Sequence, residues 1–303
     1  MTDTRFAGDT AVYLYGVARD LDPAALGDAA GVAGAPVRGV VAGGLTALVS
    51  TVRLEEYGEA ALRANLEDLA WLEATARAHH DVVDRAAHSA PTAPVRIATL
   101  YRDDARVAEV LAAQGERFGA VLDRITGRSE WGVKAYASPE TMRGDPAAAP
   151  GGRDPSDPGG GLAPRAESLT GPSPAGSSGA GPSAGVGTAY LRRRQDERRR
   201  RADAGRRVGE AADGVHAELT DHAVASRHHP PQDPGLSGRR DTQILNAAYL
   251  LDEDQAEGFL AVTRAAPARL DGIELEVTGP WPPYSFIDTA DTTPAPDPRD
   301  ASR

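Results

Sequence analysis

Between Arg143 and Val186 the chain is built almost wholly of Gly, Pro, Ser, Ala and Asp, with almost no large apolar side chain. Such a segment cannot bury enough surface to offset the entropy of ordering it, so it reads as a flexible linker. Any fold must then be assembled from what lies on either side, 1–142 and 187–288. The last stretch, 289–303, is rich in Asp, Pro and Thr and reads as a disordered tail. The 33 Gly and 23 Pro are concentrated in the middle and at the tail, and a hydrophobic share of 41% is enough for a core.

The N-terminal piece reads as β, β-hairpin, α, β, α, β. Ala11–Ala18 is a strand, and Gly43-Gly44 separates two short β-type runs, 37–42 and 45–52, as a hairpin turn does. From Glu59 to Ala87 the residues Leu62, Leu66, Leu69, Leu72, Ala76, Val83 and Ala87 recur at helical spacing, and Pro91 and Pro94 stop the helix. Pro94–Tyr101 is a strand. Asp103 is placed to cap a second helix with a buried face of Val107, Val110, Leu111, Phe118, Val121, Leu122 and Ile125. Gly127 ends that helix, and Trp131–Ala137 is the last strand. Helices returning to a mostly antiparallel sheet predict an α+β domain of ferredoxin-like kind over 1–142.

In the C-terminal piece, 187–288, Thr188–His222 reads as a long helix in two halves. The first half carries Arg192, Arg193, Arg194, Arg198, Arg199, Arg200, Arg201, Arg206 and Arg207 against Asp196, Glu197 and Asp203. Asp196–Arg200 and Glu197–Arg201 have the favourable i,i+4 order. The second half regains an apolar stripe through Val208, Ala212, Val215 and Leu219. The pattern is a helix projecting at its front and packed at its rear. Three readings fit the arginines: a solvated or intramolecularly paired arm, a protein contact, or a nucleic-acid contact. The absence of interleaved aromatics and a net charge of -11 speak against the last. Asp241–Leu251 is an apolar strand after a Pro-rich loop over 227–238. Asp252 with Gln255 resembles a capping box for a helix through Ala266. Ile273–Thr278 alternates as a half-buried strand and runs into GPWPPYSFI, 279–287. Pro282 and Pro283 stiffen this segment, so Trp281, Tyr284 and Phe286 serve either as a core plug or as a docking surface.

Catalytic and cofactor chemistry finds little support. There is no cysteine, so no disulfide or thiolate metal site. His80, Asp84 and His88 share a helix stripe at four-residue steps, but a half-exposed helix face explains them without a metal, and His228-His229 sit in a loop. Gly181–Gly185 matches G-x-S-x-G without the strand and helix that a nucleophile elbow requires. The only lysine, Lys134, lies in a strand, and no phosphate loop is present. Glu55-Glu56, Asp103-Asp104 and Asp252-Glu253-Asp254 each sit at a helix start, where capping and the helix dipole account for them. No cofactor is expected. No run of apolar residues is long enough to span a membrane. The N-terminus lacks the features of an export signal, so a cytoplasmic location is the simplest expectation.

The segment GPWPPYSF resembles the C-terminal signature of the gas vesicle protein family GvpF/GvpL. Other stretches agree in order: Tyr13-Leu14-Tyr15-Gly16-Val17, Pro94-Val95-Arg96, Trp131-Gly132-Val133-Lys134 and Gly187-Thr188-Ala189-Tyr190-Leu191. The likeness spans about four-fifths of the chain. It implies an N-terminal ferredoxin-like domain, a C-terminal α/β domain with a coiled-coil-like helix, and a location at the gas vesicle. It also implies a role as an accessory or minor component in building the vesicle shell, through contact with the major shell protein GvpA and other accessory proteins. Contact residues would then be sought among Arg192, Arg193, Arg194, Arg198, Arg199, Trp281, Tyr284 and Phe286. Neither nucleic acid nor membrane is an expected partner. The chain has Ile97 and Ala98 where the family pattern carries Phe and Gly. The alternative of a different class is a small-ligand or regulatory module on a ferredoxin-like scaffold.

Overall fold

The computed structural model describes residues 8–144, 183–232 and 239–287. Most of the Gly/Pro/Ser segment and the tail beyond Ile287 lie outside them. The described residues form two four-stranded antiparallel sheets.

The first sheet contains β1 (Thr10–Arg19), β2 (Arg38–Ala42), β3 (Leu45–Arg53) and β4 (Thr92–Tyr101), in the order β2-β3-β1-β4. The second contains β5 (Arg128–Ala137), β6 (Ala225–His228), β7 (Thr242–Asp252) and β8 (Ile273–Trp281), in the order β6-β7-β5-β8. The two orders are the same when each sheet is numbered from its own first strand, and that order is the ferredoxin-like one. Trp131–Ala137, read above as the last strand of the N-terminal sheet, is instead an inner strand of the second sheet, between β7 and β8. Its alternating apolar residues Trp131, Val133, Ala135 and Ala137 pack against Val208, Val215, Leu219 and Phe259. A period-two pattern sets a buried face but leaves open which sheet supplies the neighbours.

Two helices expected as continuous are broken. The apolar run over 59–87 divides into α2 (Glu59–Asn65) and α3 (Leu69–Ala87), preceded by the short α1 (Leu54–Tyr57). The break falls at Asp68, whose carboxylate accepts from the N–H groups of Ala70 and Trp71 and so caps α3. The change of register turns Leu66 and Leu69 outward; α3 buries Val83 as read, together with Thr75, His79, Val82 and Ala86. Likewise the next helix divides at Gln114 into α4 (Asp104–Ala113) and α5 (Gly115–Ile125). There the predicted face holds, with all seven residues from Val107 to Ile125 buried, and Asp103 caps as expected by accepting from the Arg106 N–H at 2.7 Å.

Both faces of the first sheet are covered. On one, Val12, Leu14 and Val49 meet α4 and α5; on the other, Tyr13, Tyr15 and Leu48 meet α3 and its neighbours. The second sheet is covered chiefly on one face, by α7 (Ser183–Thr220) and α8 (Ala256–Ala265). The short α6 (Pro139–Arg143) leans on α7. Asp252 does not cap α8; its carboxylate pairs with Arg128 at 2.8 Å, and a 3-10 turn, Glu253–Gln255, leads into the helix. Among the described residues no helix is long and apolar enough to cross a membrane.

Candidate partner-binding surfaces

The chain leaves the second sheet at the end of β8 and crosses to the first. Gly279 permits the exit. Its φ is 127°, and a β-carbon there would stand 2.8 Å from the Glu130 carbonyl oxygen. Beyond buried Pro282 and Pro283, Tyr284–Phe286 forms a 3-10 turn. Phe286 packs on Ala248 and Leu250, on the face of the second sheet opposite α7, while Ile287 enters the core of the first sheet beneath α5. Polar contacts fix the crossing. The Ser285 N–H and hydroxyl donate to the Glu130 carboxylate at 2.7 and 2.6 Å, and the Arg124 guanidinium donates to the Phe286 carbonyl at 2.8 Å. The His229 ring lies 3.2 Å from the Ser285 hydroxyl. Burial pushes the Glu130 carboxyl up from its ordinary pKa, and the two Ser285 bonds oppose that rise.

The segment divides by residue into a buried part and an exposed part. Phe286 is buried, whereas Trp281 is 42% exposed and Tyr284 36% exposed. Trp281 meets the His80 ring edge-on at 5.2 Å, and Tyr284 lies 6.2 Å from His80 and 6.3 Å from His79. His79 is buried and holds a chain of hydrogen bonds. The Ala98 N–H donates to the Tyr13 hydroxyl at 3.1 Å, and that hydroxyl is hydrogen-bonded to His79 Nδ1 at 3.0 Å. Burial lowers the His79 pKa to about 4, with the Val95 carbonyl opposing.

That chain anchors a wide bulge. Leu14 faces Thr99 and Gly16 faces Pro94, so residues 95–98 loop out opposite Tyr15 alone. Ala98 takes φ 62°, a left-handed conformation that glycine adopts without strain. Arg96 and Ile97 face outward on the bulge, and β4 contacts the Tyr284–Phe286 turn. Two motifs far apart in sequence, Pro94-Val95-Arg96 and GPWPPYSFI, thus meet around His79-His80. Sequence reasoning missed this meeting. The unusual Tyr-x-Tyr pair in β1 and the Ala in the Gly position were its available signals.

Beside Trp281 a cleft of about 560 Å³ opens between Pro280–Pro283, the C-terminal end of α3 and the α5–β5 turn. Asp84, Glu253 and Arg128 contribute its charged lining. His88 bonds through Nδ1 to the Asp84 carbonyl at 2.8 Å and lies 3.5 Å from the Asp84 carboxylate, while His80 is engaged with the aromatic rings, so the three do not gather into one site. Among the described residues no three His, Asp or Glu side chains are grouped to hold a metal. His228 ends β6 with Nε2 3.2 Å from Nε2 of His216. A helix begins within the G-x-S-x-G run, at Ser183, and the residues before it lie outside those described.

The second surface is α7. Its rear packs through Ala204, Val208, Ala212, Val215 and Leu219. Arg192, Arg193, Arg194, Arg198 and Arg199 are all exposed on its front. The predicted Asp196–Arg200 and Glu197–Arg201 pairs do not form; the ion pairs on this helix among the described residues are Arg206–Asp203 at 3.1 Å, Arg206–Glu210 at 3.8 Å and, at its rear, Glu218–Arg269 at 2.7 Å.

Residues 11–288 match the family model described as gas vesicle synthesis protein GvpL/GvpF. Gas vesicle protein L of Streptomyces sp. (strain CB03234) is 36% identical over 289 residues, 93% of this chain and 95% of the relative. Gas vesicle protein F of the same strain is 27% identical over 278 residues, covering 91% and 99%. The crystal structure of the gas vesicle protein GvpF from Anabaena sp. PCC7120 superposes with a TM-score of 0.61 at 16% identity, over 92% of this chain and 96% of that one, and so shares the fold. With its signature motifs, two sheets and near-complete overlap, the chain belongs to the GvpL/GvpF family of gas vesicle synthesis proteins.

Proposed function

We propose that this chain is a non-catalytic accessory or minor structural protein of gas vesicle assembly, acting in the cytoplasm at the vesicle. It binds the major shell protein GvpA and other gas vesicle proteins during nucleation or growth of the shell. The observation that carries the reading is the exposure of Trp281 and Tyr284 on a segment held at both ends by buried contacts. A rigid, half-exposed aromatic pair loses little entropy on docking, which is the character of an interface anchor. The exposed bulge residue Ile97 and the cleft beside Trp281 extend the surface.

Capture of the host's gas vesicle proteins by the tagged full-length chain tests it. Replacing Trp281 and Tyr284 by alanine is expected to weaken capture by about tenfold or more. Unchanged capture of shell and accessory proteins by that variant, with the fold intact, would sink the surface assignment. No capture by the wild-type chain would sink the role.

The cleft favours a second reading, since about 560 Å³ falls within the range of small-ligand sites. In that case a metabolite screen raises the melting temperature, and the rise disappears when Trp281 is replaced.

A further inference from the structure

The front of α7 poses a question that the vesicle role does not answer. From Tyr190 to Ala202 every described side chain of the helix is exposed. Between 192 and 201 stand seven arginines and two acidic residues, a net +5, which leaves -16 on the remainder of a chain whose total is -11. Just ahead of the arginines are two large apolar side chains turned to water, Tyr190 at 56% exposure and Leu191 at 61%. An apolar pair beside a dense cationic run is a surface awaiting an apolar, acidic complement.

The same chain carries that complement elsewhere. At the break between α2 and α3, Leu66 is 48% and Leu69 71% exposed. They flank Glu67 and Asp68, and the stretch 55–81 holds seven acidic residues against two arginines, a net -5. The elements that α7 chiefly touches are α6, β7 and α8. Both surfaces are thus exposed in a single molecule, each with an apolar pair and with net charges of opposite sign.

We propose that the front of α7 docks on the α2–α3 corner of a second copy of this chain. Tyr190 and Leu191 cover Leu66 and Leu69, and the arginines from 192 to 201 face Glu67 and the neighbouring acidic residues of the 55–81 stretch. Each copy presents both halves of the contact. Exchange between two copies closes a dimer, while passing the contact onward makes a longer assembly. Because the contact uses only surfaces of this chain, it stands independently of the vesicle role.

Sedimentation velocity of the full chain at about 50 mM and about 500 mM salt tests the proposal, since screening at the higher salt shortens the reach of charge to a few ångströms. The expected result is self-association at low salt, weakened at least tenfold at high salt. Arg192→Glu with Arg193→Glu and Arg194→Glu is expected to sediment as a monomer at both. Mixing that variant with a Glu67→Arg variant is expected to restore a mixed assembly, because the charges are then complementary again. All four positions are exposed, and unchanged circular dichroism and melting temperature confirm that folding is intact. A wild-type chain that stays monomeric at about 100 μM in low salt overturns the proposal. So does self-association that survives the arginine reversals.

Discussion

The two sheets share a strand order and differ in how the chain travels from the first strand to the second. In the first sheet β1 reaches β2 through two 3-10 turns, Pro23–Leu26 and Val32–Gly34; in the second, helix α7 lies on the path from β5 to β6. The missing helix is replaced by later elements. Helix α3 covers one face of the first sheet, and α4 and α5 cover the other. As a result β1 is buried from Ala11 to Ala18 without alternation. The second sheet keeps α7 and α8 on one face and leaves most of the other to polar side chains, among them the Lys134–Glu276 pair and Arg239 over the Tyr136 ring. Among the described residues the C-terminal crossing reaches that face, with Phe286. The lesson is that one strand order accommodates two kinds of covering. The exposed front of α7 is what remains when a crossover helix is longer than the sheet it covers.

Matched truncations give the hardest test of this comparison. Phe259→Ala in the second core and Phe118→Ala in the first each remove a fully packed ring, and each is expected to cost about 3–5 kcal/mol of unfolding free energy. Because the C-terminal crossing ties the cores together, the fluorescence of buried Trp131 and the far-ultraviolet dichroism should report one shared transition in either variant. Separate transitions would show that the sheets unfold independently.

Acid should distinguish the halves next. His79 lies in the first and has its pKa lowered to about 4 from 6.5. The unfolded chain then takes up the proton first, so stability is full above about pH 6.5 and falls as pH drops toward 4, by roughly 3 kcal/mol from this one group. His79→Gln keeps an acceptor for the Tyr13 hydroxyl and does not titrate. The difference between variant and wild type in urea unfolding should narrow from pH 7 to pH 4, and a constant difference would refute the assignment.

The smallest effect expected is a gain. Ala98→Gly relieves a left-handed alanine in the β4 bulge, a feature of the first sheet alone, and should raise stability by about 1 kcal/mol. A fall in the urea midpoint would mean that the alanine methyl contributes more by contact than its backbone costs.

Local patterns were legible wherever neighbours in sequence fix them. The face from Val107 to Ile125, the Asp103 cap and the apolar stripe from Val208 to Leu219 all depend on helical spacing, and all appear as read. The signature segment was legible as stiff and aromatic, though its division into buried Phe286 and exposed Trp281 was not. The break at Asp68 was missed because the leucine stripe runs straight through it. The capping bonds of one carboxylate outweighed the spacing there.

The sequence by itself determined most of the element types, the family and the charge imbalance of the arginine arm, since each depends on residue identity and on separations of a few positions; strand β6, whose Arg227 and His228 read as loop, was not among them. Only the tertiary structure decided that β5 belongs to the second sheet, that Phe286 and Ile287 enter different cores, and that the bulge after Pro94 meets Trp281 and Tyr284 across His79 and His80. These outcomes turn on which distant apolar faces bury one another. Burial is non-directional, so alternation along one strand cannot name its partner; closing both cores at once does.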